Sequence, residues 1–129
     1  MRTFPGGATR DDDTDKYDYE GFLSPIVLER FAQYMHWCRV QADGKLRDSD
    51  NWQRRPGIPR SEYMKSKFRH FMETWKLYRL GGSSDQLEES LCAEMFNTMG
   101  LLYELLECRR GDDPDNEPMH HDGWKGDNA

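Results

Sequence analysis

The chain has 129 residues, of which 24 are acidic and 18 are Lys or Arg, for a net charge of -6. That length fits one domain with a modest core, a size that often gains from oligomerisation. The acidic balance argues against wrapping duplex DNA, where phosphate contacts supply most of the affinity, but a few local cationic side chains with a metal ion can still hold a single nucleotide.

Residues 1–24 are Gly-rich and acidic ("GGATRDDDTDKYDYEGF"), with no strand-like alternation and no apolar signal-peptide core. Ser24 before Pro25 is a helix-start signal, because the hydroxyl caps an orphan N–H and proline lacks the N–H that would be orphaned. The following "PIVLERFAQYMHWC" spaces Val27, Leu28, Phe31, Tyr34, Met35 and Cys38 as one face of a first helix. A polar stretch, "QADGKLRDSDNWQRRPGIP", is punctuated by Gly44, Pro56, Gly57 and Pro59 and reads as a loop. It is longer than a typical connection, as functional loops often are, and its Trp52 argues against simple disorder.

A second helix is expected after Pro59, with Ser61 as its cap and Met64, Phe68, Phe71, Met72 and Trp75 as its buried stripe. "GGSSD" (Gly81–Asp85) ends that helix and caps a third. The third helix carries Leu87, Leu91, Met95, Met99, Leu102 and Leu106 on one side and frays near Arg109–Gly111. The sequence therefore predicts an all-α bundle of about three main helices, occupying residues 1–109 after an extended N-terminal segment. Residues 110–129 read as a disordered acidic tail that includes His120 and His121. The three cysteines, Cys38, Cys92 and Cys108, fall in apolar helical patterns and read as reduced core residues. No apolar run approaches the roughly 20 residues that span a bilayer, so a soluble cytoplasmic protein is expected.

Chemistry gathers on the second and third helices. His70 and Glu73 are three residues apart and share a face with Ser66; Glu94 and Asn97 have the same spacing on the next helix. Asn97 interrupts an apolar run, and a buried amide needs partners. Antiparallel packing can bring the two pairs together, and converging oxygens suit Mg²⁺ or Mn²⁺. Solvated glutamates and a boundary histidine fit the same spacing. Trp52 can stack on a base while Asn51 reads its edge, or Trp52 can plug the loop against the bundle. Arg10, Lys16 and Arg69, with Lys65 and Lys67 near the last, are the phosphate-neutralising candidates.

The ordered set "GATRD" (Gly7–Asp11), "KYDYEGFLSP" (Lys16–Pro25), "DNW" (Asp50–Trp52), "GIP" (Gly57–Pro59), "RH" (Arg69–His70) and "CAEMFNTMG" (Cys92–Gly100) resembles a family of phage and bacterial dATP/dGTP diphosphohydrolase-like proteins. That family is related to the all-α MazG-type nucleotide pyrophosphohydrolases. The resemblance spans nearly everything except the tail. It implies metal-dependent hydrolysis of a purine deoxynucleoside triphosphate to the monophosphate and pyrophosphate, by a dimer or tetramer that takes up a purine deoxynucleotide. It places Mg²⁺ or Mn²⁺ on paired acidic motifs, ExxE then ExxD, which here correspond to "HFME" (His70–Glu73) and "EMFN" (Glu94–Asn97). His and Asn stand where the family has acids, which weakens divalent binding unless Asp85, Glu88, Glu89 or Glu104 contributes. Residue type, placement and resemblance together put Glu73 and Glu94 at the catalytic metal with His70 and Asn97, Arg10, Lys16 and Arg69 on the phosphates, and Asn51 and Trp52 on the base. The rival expectations are a nucleotide-sequestering protein and a helical accessory protein that binds another protein through Met- and Trp-rich faces.

Overall fold

The structure is a computed structural model that describes residues 2–10, 12 and 14–110. Its elements run β1 (Arg2–Thr3), β2 (Thr9–Arg10), α1 (Tyr19–Phe22), α2 (Pro25–Cys38), a 3-10 turn (Asn51–Gln53), α3 (Arg60–Leu80) and α4 (Ser84–Arg110). The all-α expectation holds for the body of the chain. Where no strand was expected, a small antiparallel hairpin pairs Arg2 with Arg10 and Thr3 with Thr9. Pro5 and Gly6 occupy the centre of its turn, Gly7 N–H donates to Phe4 O at 2.8 Å, and Gly7 takes φ +91°. The expected tail, with His120 and His121, lies outside the described residues.

The helix ends follow the local chemistry. Ser24 Oγ accepts from Val27 N–H, and Pro25 occupies the first helical position. Helix α3 begins at Arg60, directly after Pro59, without a side-chain cap; Ser61 lies inside its first turn rather than capping it. Gly81 ends α3 at φ +93°, a conformation that disfavours any Cβ, and its N–H reaches Leu77 O. Ser83 opens α4 with a reciprocal box: Gln86 N–H donates to Ser83 Oγ at 3.1 Å, and Ser83 N–H donates to Gln86 Oε1 at 2.9 Å.

The short Gly81–Ser83 joint folds α4 back along α3. Tyr63 meets Gly100, Lys67 Nζ donates to Thr98 Oγ1, and Thr74 meets Ser90, an antiparallel register along both helices. The surfaces that meet are not the expected apolar stripes. Helix α4 buries Ser90, Cys92, Ala93, Asn97, Gly100, Glu104 and Cys108. Helix α3 turns Tyr63, Ser66, Lys67, His70, Thr74 and Leu77 inward. Small residues let the backbones approach, and a Cβ on Gly100 would overlap the Tyr63 ring. The apolar stripes face outward instead: Phe68 is 65% exposed, Trp75 48% and Leu102 52%. Of the cysteines, Cys92 and Cys108 are buried as expected, whereas Cys38 is exposed.

Helix α2 packs on α4, not on α3. Arg30 Nε and Glu88 Oε1 join these helices at 2.7 Å. Because α2 stays off α3, a gap opens between them, and the 39–59 segment closes it. The hairpin packs on none of the helices. Among the described residues no helix is long and apolar enough to cross a membrane.

Candidate functional site

That gap is a cavity of about 740 Å³. Helix α2 supplies Tyr34, Met35 and Cys38; α3 supplies Ser66 and His70; α4 supplies Phe96 and Asn97; and the long loop supplies Asn51, Trp52 and Pro56–Pro59. Its size lies within the range typical of small-molecule sites. Four of the expected site residues, Asn51, Trp52, His70 and Asn97, therefore share one enclosure.

The loop wall is held in place by a series of specific contacts. Trp52 sits edge-on to Phe96 and Tyr103, with ring centroids 5.7 and 5.3 Å away. Tyr103 Oη donates to Gln53 O at 3.1 Å. Arg54 pairs with Asp48 and Asp50, each at 2.9 Å. Arg55 Nη1 meets Glu104 Oε1 at 2.8 Å, with Glu104 almost wholly enclosed. Gly57 lies where a Cβ would strike that carboxylate, so the ion pair and the glycine hold the Pro56–Pro59 segment against α4. Trp52 thus both plugs the loop against the bundle and lines the cavity.

Within the seam, hydroxyl groups form a compact network. Thr74 Oγ1 donates to Glu94 Oε2, lies 2.6 Å from Ser90 Oγ and 2.9 Å from His70 O, and Ser90 Oγ also reaches His70 O at 3.1 Å. Asn97 is buried, and its Nδ2 donates to Ala93 O, one turn earlier in the same helix, at 2.8 Å.

A smaller cavity, about 170 Å³, adjoins the first through their shared residues Tyr34 and His70. Glu73, Gln86, Glu89, Ser90 and Ala93 complete its wall. Burial and a hydrogen bond with Cys38 raise the Tyr34 pKa, so the phenol between the cavities is neutral at physiological pH. Among the described residues no three His, Cys, Asp or Glu side chains gather closely enough to hold a metal ion.

The expected residues are therefore divided. His70 and Asn97 face the main cavity, and His70 and Glu73 face the smaller one. Glu94 lines neither and is turned into the hydroxyl network. Of the four supplementary acids, Glu89 lines the smaller cavity, Glu88 is paired with Arg30 and Glu104 with Arg55. Arg10 lies on the hairpin and Lys16 is exposed before α1. Arg69 donates to Ser66 Oγ at 2.8 Å and borders a third, shallow hollow with Glu73 and Lys76. Sequence reasoning missed Tyr34, Arg39 and Arg47 as site residues and offered Glu89 as one of four supplementary acids. The signal for Tyr34 was its place on the α2 stripe; Arg39 and Arg47 were masked by an irregular loop whose path the sequence does not disclose. Comparison with family models, curated proteins and solved structures yields no match.

Proposed function

We propose that this chain hydrolyses a purine deoxynucleoside triphosphate, dGTP or dATP, to the monophosphate and pyrophosphate in the cytoplasm, remodelling a nucleotide pool such as that of a phage-infected host. The observation that carries the reading is the convergence of Asn51, Trp52, His70 and Asn97 on one cavity of nucleotide size. Trp52 offers an aromatic flank for a base, Asn51 an amide that can pair with a base edge, and His70 a polar group between the two cavities.

A divalent cation, Mg²⁺ or Mn²⁺, would draw at most two acids from the smaller cavity and the rest of its ligands from water and substrate, since no three His, Cys, Asp or Glu side chains converge among the described residues. Glu73 and Glu89 present hard oxygen ligands there beside His70 and Ser90. Mg²⁺ keeps several waters and takes one or two protein carboxylates with substrate phosphates, so two acids are an adequate set. When bound, it would neutralise phosphate charge and lower the pKa of a water. Glu94 fixes Thr74, and with it the seam from which His70 and Glu73 project.

A second copy of the chain is the partner that fits the outward stripes of α3 and α4. Phe68 and Trp75, two turns apart on α3, and Leu102 on α4 are large apolar side chains that the subunit itself leaves exposed. Nucleotide sequestration without cleavage is the second reading, favoured by Glu94 spending Oε2 on Thr74 outside both cavities.

Incubating the protein with dGTP or dATP and Mg²⁺ or Mn²⁺ should release pyrophosphate and the monophosphate. Glu73→Ala should abolish release with helicity intact. Nucleotide binding without pyrophosphate would favour sequestration, and neither binding nor release would overturn both readings.

A further inference from the structure

The ionisable side chains around the main cavity include Arg39, Arg47, Asp48 and His70. The single carboxylate among them is paired from outside the wall: Asp48 Oδ2 lies 2.9 Å from Arg54 Nη1, a guanidinium that also pairs with Asp50. Within the wall two guanidinium groups face one carboxylate, in a chain whose net charge is -6.

Both guanidiniums are fixed by backbone bonds. Arg47 N–H donates to Arg39 O at 2.8 Å, and Arg39 Nε donates back to Arg47 O at 2.8 Å. Arg47 Nη1 donates to Cys38 O at 3.0 Å, the carbonyl of the last residue of α2. That position suits a cation, since the C-terminal end of a helix presents unpaired carbonyls and partial negative charge. All the acceptors belong to residues of the cavity wall, as do Arg39 and Arg47 themselves. Each retains further N–H donors in a rigid planar fork, the geometry that matches phosphate oxygens. The entropic cost of placing those forks is met by folding rather than by ligand binding.

We propose that Arg39 and Arg47 form the polyphosphate subsite of the main cavity, a role that the positions of Arg10 and Lys16, away from that cavity, leave unfilled. This assignment rests on the nucleotide reading above for its ligand, but its chemistry can be tested without a base.

The test is calorimetric binding of inorganic tripolyphosphate, 2′-deoxyguanosine and dGTP to the full chain and to Arg39→Gln, Arg47→Gln, Arg39→Lys and Arg79→Gln. Arg79 is exposed in the last turn of α3 and serves as a charge-matched control. Each Gln variant should weaken tripolyphosphate and dGTP about tenfold, the loss of one charge-assisted contact. Deoxyguanosine affinity and helicity should stay at wild-type values. Arg39→Lys should recover part of the loss, and Arg79→Gln should bind as wild type. Wild-type affinity for tripolyphosphate in both Gln variants would overturn the assignment. So would an equal loss for the nucleoside, which would mark a collapsed loop, or the same loss in Arg79→Gln, which would mark a net-charge effect. Arginine-dependent binding of tripolyphosphate with no gain from the base would retain the subsite and reject the nucleotide reading, whereas a wild-type chain that binds none of the three would reject both.

Discussion

Tyr63 is 1% exposed and is the large side chain that the α3–α4 seam encloses fully. Its ring fits because position 100 is glycine: the helix gives up about 1 kcal/mol of propensity there and gains a close ring contact. The phenolic hydroxyl is buried and has no hydrogen-bond partner among the described residues. An unpaired buried hydroxyl carries a desolvation cost, so Tyr63→Phe should stabilise the fold by about 1 kcal/mol, read from urea unfolding at fixed protein concentration. Burial, reinforced by the Glu104 charge, pushes the Tyr63 pKa up to about 12. The folded state then holds this proton more tightly than the unfolded chain, whose tyrosine titrates near 10. The resulting contribution is present below pH ~10 and is lost as pH rises from there through about 12. The wild type should therefore lose stability over that window more steeply than Tyr63→Phe, and identical pH profiles would refute the account.

Among the elements, the α3–α4 hairpin organises everything else. Its joint is legible in sequence: Gly81 supplies a positive φ, and Ser83 with Gln86 satisfies the first free N–H groups of α4. Ser83→Ala should cost about 1 kcal/mol, measured as a lower midpoint of thermal or urea unfolding, with the cavity residues unmoved. A change below a few tenths would mean that the box adds little to a helix already held by the seam. The seam itself escaped the sequence reading. Hydrophobic periodicity marks the greasiest face of a helix, and on α3 and α4 that face is not the one turned to the neighbouring helix. Small and hydroxyl-bearing residues pack there instead, because close approach and satisfied polar groups can substitute for apolar bulk.

For the whole molecule, the outward stripes support the proposed assembly with a second copy. Phe68 and Trp75 on α3 and Leu102 on α4 stay exposed on a lone subunit. Light scattering should find a dimer or tetramer, and Leu102→Glu should shift it towards monomer while circular dichroism retains the helices. A wild-type chain that is monomeric at every concentration would remove the second copy from the proposal. The cavity belongs to this scale too. It exists because α2 lies on α4 and leaves α3 uncovered, while Arg55–Glu104 and Trp52 hold the loop across the opening.

By itself the sequence determined what is local: the three main helices, the Ser24 start, the Gly81–Asp85 joint, and the residue types at Asn51, Trp52, His70 and Asn97 that fill one enclosure. These depend on backbone geometry and hydrogen-bond donors within a few residues of one another. Only the tertiary structure decided which helix face is inside, that Glu89 rather than Glu88 or Glu104 reaches the smaller cavity, and that Arg39 and Arg47 flank the larger one. Those outcomes turn on how separate elements pack against one another, and the period of a single helix carries no record of its neighbour.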